Sequence, residues 1–137
     1  MHRAIALVLC IIGLAGCQMS QPCQDMRFER LKQTDQIKIT DASDTTLRTI
    51  TDKSEIRRFT AFAMTHDADW STPVTGTPVA MVRANFYAAG KFIGDLGVGS
   101  NFLTAQGCGN FQSRSVTTKD RQIIMELFGV KDPYVSE

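Results

Sequence analysis

The most constraining stretch of this chain is "VAMVRANFY", Val79–Tyr87, with the "AAGK" and "FIGDLGV" that follow it. Apolar and polar side chains alternate through it with a period of two, as in a strand that is buried on one face and wet on the other. Ala80, Val82, Ala84 and Phe86 share one face, while Met81, Arg83, Asn85 and Tyr87 share the other. The glycine in "AAGK" suits a tight reversal. Phe92, Leu96 and Val98 then stay in phase along the returning strand, Phe92–Val98. A hairpin with one apolar face needs further strands and a covering layer before it is stable in water.

The remaining sequence supplies both. Gln36–Thr40 alternates, Asp41–Asp44 has turn chemistry, and Thr45–Ile50 is β-branched enough to return as a strand. Asn101–Ala105 and Asn110–Val116 read as two more strands. Asp52 with Glu55 three residues on is a variant of the capping box. Ile56, Phe59 and Ala63 follow at helical spacing, beside Phe62, and predict a helix over 53–65. Thr117 and Asp120 form a second cap pair ahead of an apolar stripe, Ile123, Ile124, Leu127 and Phe128. Gly129 is placed as its C-terminal stop, and Pro133 prevents continuation. The order β-β-α-β-β-β-β-α predicts an α+β fold. Its sheet is mostly antiparallel, of about five to six strands, with two helices on one face.

The N-terminus carries an address. His2 and Arg3 precede "AIALVLCIIGLAGC", whose apolar part is too short for the ~20 residues that span a bilayer. A basic start, a short apolar run and small residues at its end describe an export signal. Leu14-Ala15-Gly16-Cys17 resembles the lipobox of bacterial lipoproteins, position by position. The resemblance implies that Cys17 is acylated and the chain cut before it, so that two or three acyl chains hold the protein on a bilayer. In that family an aspartate after the cysteine favours the inner membrane. Gln18 stands there instead, which implies the outer membrane and its periplasmic face. On this reading residues 1–16 are signal, 17–35 are lipidated N-terminus and tether, and 36–137 are one α+β domain.

Processing sorts the cysteines. Cys10 leaves with the signal and Cys17 carries lipid, so Cys23 and Cys108 remain. In an oxidising compartment two remaining thiols read as one disulfide. It would close a long loop, worth on the order of 4 kcal/mol in the chain-entropy model. The alternative is a pair of free or redox-active thiols, for which the sequence offers no C-x-x-C spacing. Loss of Arg3 with the signal leaves 14 basic against 14 acidic residues. That balance, with no run of like charges, does not suggest the basic patch that nucleic-acid binding requires.

Motifs for chemistry are sparse. His66 is the one histidine left after processing, and it sits in "HDAD" with Asp67 and Asp69. Imidazole with carboxylates could hold a metal. The spacing fits neither paired ligands on a helix nor a calcium loop, so a solvated loop is expected. No G-x-S-x-G is present. "GDLGVGSN" matches neither a dinucleotide fingerprint nor a P-loop and reads as bends between strands. Trp70, in the 66–78 loop, is either a packing anchor or an exposed contact of hot-spot type. The expectation is a non-catalytic lipoprotein without metal or cofactor. It would bind a periplasmic or outer-membrane protein, in an inhibitor, immunity or assembly-accessory role, through the sheet's open face or the 66–78 loop. The candidate contacts are Trp70, His66, Asp67, Asp69 and Tyr87. The alternative is a small envelope enzyme using His66 and a carboxylate.

The cysteine assignment is open to direct measurement. Mass analysis of non-reduced peptides from the processed protein should show Cys23 linked to Cys108. Full alkylation of both thiols without prior reduction would refute the bridge.

Overall fold

The computed structural model describes residues 28–107 and 111–135. The signal and the expectations for Cys17, Cys23 and Cys108 lie outside the described residues. Six strands form one antiparallel sheet: β1 (Gln36–Asp41), β2 (Thr46–Ile50), β3 (Val82–Ala88), β4 (Lys91–Val98), β5 (Phe102–Gln106) and β6 (Phe111–Ser115), in the order β2-β1-β3-β4-β5-β6. Helices α1 (Lys53–Thr65) and α2 (Thr118–Phe128) cover one face. The fold is α+β, in the predicted element order. A short 3₁₀ helix, Phe28–Gln33, precedes β1 and packs on α1, with Leu31 fully buried. The packed body therefore includes part of the segment read above as tether.

The covered face is built as the alternation demands. Ile37 and Ile39 of β1, Ala84 and Phe86 of β3, Leu96 and Val98 of β4, and Leu103 and Ala105 of β5 all point into the core. Ile56, Phe59 and Ala63 of α1 meet them from above. Phe59 stacks on Phe128 at 5.2 Å between centroids and meets Phe86 edge-on at 6.3 Å. One aromatic cluster thus joins both helices to the central strand, and aromatic pairs of this geometry add about 0.5–1.5 kcal/mol each beyond area burial.

The caps form at the expected residues. Asp52 accepts from the Ser54 and Glu55 amides at 2.9 Å each, which satisfies two of the first donors of α1. Glu55 does not complete the box. It pairs with Arg48 Nη2 at 2.7 Å instead, and Arg48 Nη1 donates to the Phe128 carbonyl at 3.4 Å. Arg48 so links β2 and α1 to the C-terminal end of α2, where carbonyls and helix dipole favour a cation. Thr117 caps α2, and Gly129 ends it in the left-handed region at φ 63°.

Four expectations need correction. The β3 strand starts at Val82 rather than Val79, and β2 at Thr46. Ala80 is buried, but on the opposite face from Val82 and outside the core cluster: a side chain on Gly97 would meet Ala80, Thr104 and Arg83 together. Phe92 is out of phase with Leu96, because a bulge pairs Phe86 with Gly94 and Tyr87 with Phe92. The extra residue, Ile93, takes the core position and Phe92 turns outward. The buried stripe of α2 is Arg121, Ile124, Met125 and Phe128, with Ile123 exposed and Leu127 half-buried. The helix is turned by Arg121, which donates to the Ser100 carbonyl at 2.7 Å and pairs with Asp132 at 3.2 Å. A buried guanidinium is tolerated when paired in this way.

Gly97 marks where the 66–81 segment closes on the sheet. Its missing side chain leaves room for Ala80 against Thr104. Gly97→Ala should lower stability by about 1–3 kcal/mol through overpacking, read as a drop in the urea midpoint at unchanged slope. An unchanged midpoint would mean that Ala80 does not rest there.

Candidate functional site

The connection from α1 to β3 is where most of the candidate residues sit. His66 forms the C-cap of α1, and its backbone amide donates to the Ala63 carbonyl. Its ring stacks on Phe62 at 4.2 Å between centroids. Nδ1 lies 2.9 Å from the Phe62 carbonyl, and Nε2 faces Asp120 Oδ1 at 3.7 Å. Asp120 is held below the usual carboxylate range, first by the Thr117 hydroxyl that donates to it at 2.9 Å and also by His66. Both ring nitrogens therefore face protein groups. The pair clasps the end of α1 to the start of α2.

Trp70 is an anchor. Its Nε1 donates to the His66 carbonyl at 2.6 Å, and its ring lies 5.6 Å from that of Phe28 against the core. Beyond it Ser71 and Ser113 exchange backbone hydrogen bonds of 3.0 and 2.9 Å, extending the sheet past β6. Arg114 Nη1 donates to the Ala68 carbonyl at 2.8 Å. The base of the loop is thus fixed at four points. Asp67 and Asp69 point to solvent, Asp69 at a positive φ of 66° that a short polar side chain tolerates. After Ser71 the chain passes over the second face of the sheet to Ala80. It leaves Val74 fully exposed, at 99%, and Val79 at 63%.

Tyr87 stands apart from these residues, on the second face of the sheet. The face is polar at its centre. Asn85 donates to Thr40 Oγ1 at 3.1 Å and to the Lys38 carbonyl at 3.3 Å. Asp95 and Thr104 are buried there. Burial pushes the Asp95 carboxyl up to about 6, against the pull of Arg83 and a Gln106 backbone hydrogen bond, with Asp44 adding repulsion. Toward the β3–β4 turn the face becomes aromatic. Tyr87 meets Phe92 edge-on at 6.0 Å, and Lys38 Nζ lies 5.1 Å from the centre of the Tyr87 ring. Phe92 remains 48% exposed.

The sequence candidates therefore divide. His66 and Trp70 are brought together as structural ties, Asp67 and Asp69 are exposed beside them, and Tyr87 belongs to a separate aromatic patch. Sequence reasoning missed Asp120, Asp95 and Phe92. Asp95 had a signal, a lone acid in a glycine-rich apolar strand. Phe92 had none, because its outward turn depends on the bulge. No group of three or more potential metal ligands occurs among the described residues.

Asp95 makes a pH prediction. Its folded pKa of about 6 lies above the usual value of 3.8, so the native state binds this proton more tightly than the unfolded chain does. The stability it contributes is full below pH 4 and is lost as pH rises through 6. Asp95→Asn should then raise stability at pH 7.5 by about 2–3 kcal/mol and leave it unchanged at pH 3.5. Equal effects at both pH values would refute the assignment.

No known protein family, curated protein or solved structure matches this chain.

Proposed function

We propose that this protein is a lipid-anchored lipoprotein of the bacterial envelope that acts by binding another envelope protein, without catalysis. Acylated Cys17 holds it at the outer membrane, on the periplasmic side. The partner docks on the open half of the second sheet face. The observation that carries this reading is the Tyr87–Phe92–Lys38 patch. A bulge interrupts regular pairing and turns a phenylalanine out of the core toward solvent, next to a tyrosine and a lysine. Bulges that re-aim a side chain are features of functional edges and sites. Aromatic side chains are the residues that dominate binding energy at protein interfaces.

The second reading, an envelope enzyme using His66 and a carboxylate, is favoured by one observation, the His66–Asp120 approach at 3.7 Å. The two are separated by substitution. Tyr87→Ala and Phe92→Ser, each checked for folding by circular dichroism, should weaken capture of the envelope partner by about 2 kcal/mol. His66→Ala should leave capture intact, and Cys17→Ser should abolish both acylation and signal cleavage. Unchanged capture by both aromatic variants, with loss of the cellular phenotype in His66→Ala, would replace the binding reading with the enzymatic one.

A further inference from the structure

The exposed part of the 66–81 connection is an uncharged stretch. No charged residue occurs from Trp70 to Val82, thirteen positions in a chain that is 21% charged. Charge stops at Asp69 and resumes at Arg83. The tip, "TPVTGTPV", combines proline, threonine and glycine with two valines, Val74 and Val79, that are 99% and 63% exposed. Gly76 bends it at φ 65°. Its ends are fixed, by Trp70 and the Ser71–Ser113 pair on one side and by buried Ala80 on the other. It is a presented, uncharged, aliphatic protrusion.

Its position relative to the anchor is informative. Phe28 is the first described residue after the tether, and its ring lies 5.6 Å from that of Trp70, at the base of the loop. Cys17 is eleven residues before Phe28, so the lipid is attached no more than about 40 Å of chain away. Val74 is four residues beyond Trp70, so the tip begins within about 15 Å of chain from the point where the tether joins the fold.

We infer that the 72–79 tip is a second membrane contact, which inserts Val74 and Val79 into the interfacial region of the phospholipid surface that carries the acyl anchor. The inference rests on the lipid-anchored reading above. Insertion needs an apolar protrusion without charges, because charged groups are costly below the headgroups. It needs no shape complementarity. The tip meets that requirement and lacks the aromatic or cationic side chains of a protein hot spot, which lie on the sheet face instead. At the shallow depth of an interfacial segment, about 5–10 Å, its threonines and free backbone groups still reach water and headgroups. The acids Asp67 and Asp69 are excluded from the inserted tip, and the lipid contact fixes which way the sheet face looks.

The chain's single tryptophan makes the test direct. Acylated full-length protein is reconstituted in phosphatidylcholine vesicles with and without brominated acyl chains, and a Trp70→Phe, Val74→Trp variant places the fluorophore at the tip. Brominated lipid should quench the tip emission about twofold or more and shift it to the blue, and adding Val79→Asp should reverse both. In the wild-type protein, amide exchange across 72–79 should slow on vesicles relative to an unacylated chain of residues 18–137 in vesicle-free buffer. Unquenched, water-like emission together with unprotected amides, in protein that co-sediments with vesicles, overturns the inference. A tip that becomes protected only when envelope proteins are added overturns it too, in favour of a protein contact. Protein that carries no acyl mass and does not sediment overturns the anchored reading itself, an outcome that mass analysis of the N-terminal peptide separates from the others.

Discussion

The fold depends on the placement of β1 between β2 and β3. Because β1 is antiparallel to both, β2 and β3 run parallel to each other without touching. A hairpin cannot join parallel strands; a long crossover is required. The chain supplies it from Thr51 to Met81. The first half is α1, which covers the core face. The second half leaves α1 at His66, reaches the far edge of the sheet at Ser71 and crosses the other face to Ala80. One topological requirement thus produces the covering helix, the clamped loop and the partly covered second face. It also explains why the loop is long in a domain of this size, where connections are usually short.

The two faces of the sheet have opposite energetics. The helix-covered face is aliphatic and aromatic, centred on Phe59, Phe86 and Phe128. The second face is polar at its centre, with a buried carboxyl at Asp95 whose charged form is held at a cost. A chain selected only for stability would have little reason to bury that acid. The same face carries the Tyr87–Phe92 pair, exposed where a regular hairpin would have placed Phe92 in the core. Both departures from simple packing lie on one surface, and departures of this kind concentrate where a protein acts.

Much of this was legible in the sequence, and the limits have particular causes. Alternation located the strands, and the Asp52, Thr117 and Gly129 caps located the helices, because these signals are local. Phase across the β3–β4 turn was not legible. A single inserted residue, Ile93, reverses every assignment before it in β4, and the choice is made by how Ile93 and Phe92 compete for the core. The rotation of α2 was hidden for a similar reason, since Arg121 reads as a surface residue until Asp132 and Ser100 are beside it. Trp70 was recognised as the notable side chain of its loop, but its role depends on Phe28 and His66, contacts that spacing does not encode. The Tyr87 patch was half legible, because Lys38 and Phe92 come to Tyr87 only through pairing.

The Ser71–Ser113 pair has a consequence for the chain as it folds. A sheet edge with unpaired amides recruits other strands and seeds aggregation. Two hydrogen bonds from Ser71 cap β6 in the folded protein. At the opposite edge, β2 is only five residues long and is broken by a bulge between its pairing with Ile39 and Thr40. The cap at β6 comes from a residue made long before β6 itself, so it closes only after the last strand has emerged and docked. The folding chain is therefore most prone to stick to its neighbours in the interval between docking of β6 and seating of Ser71.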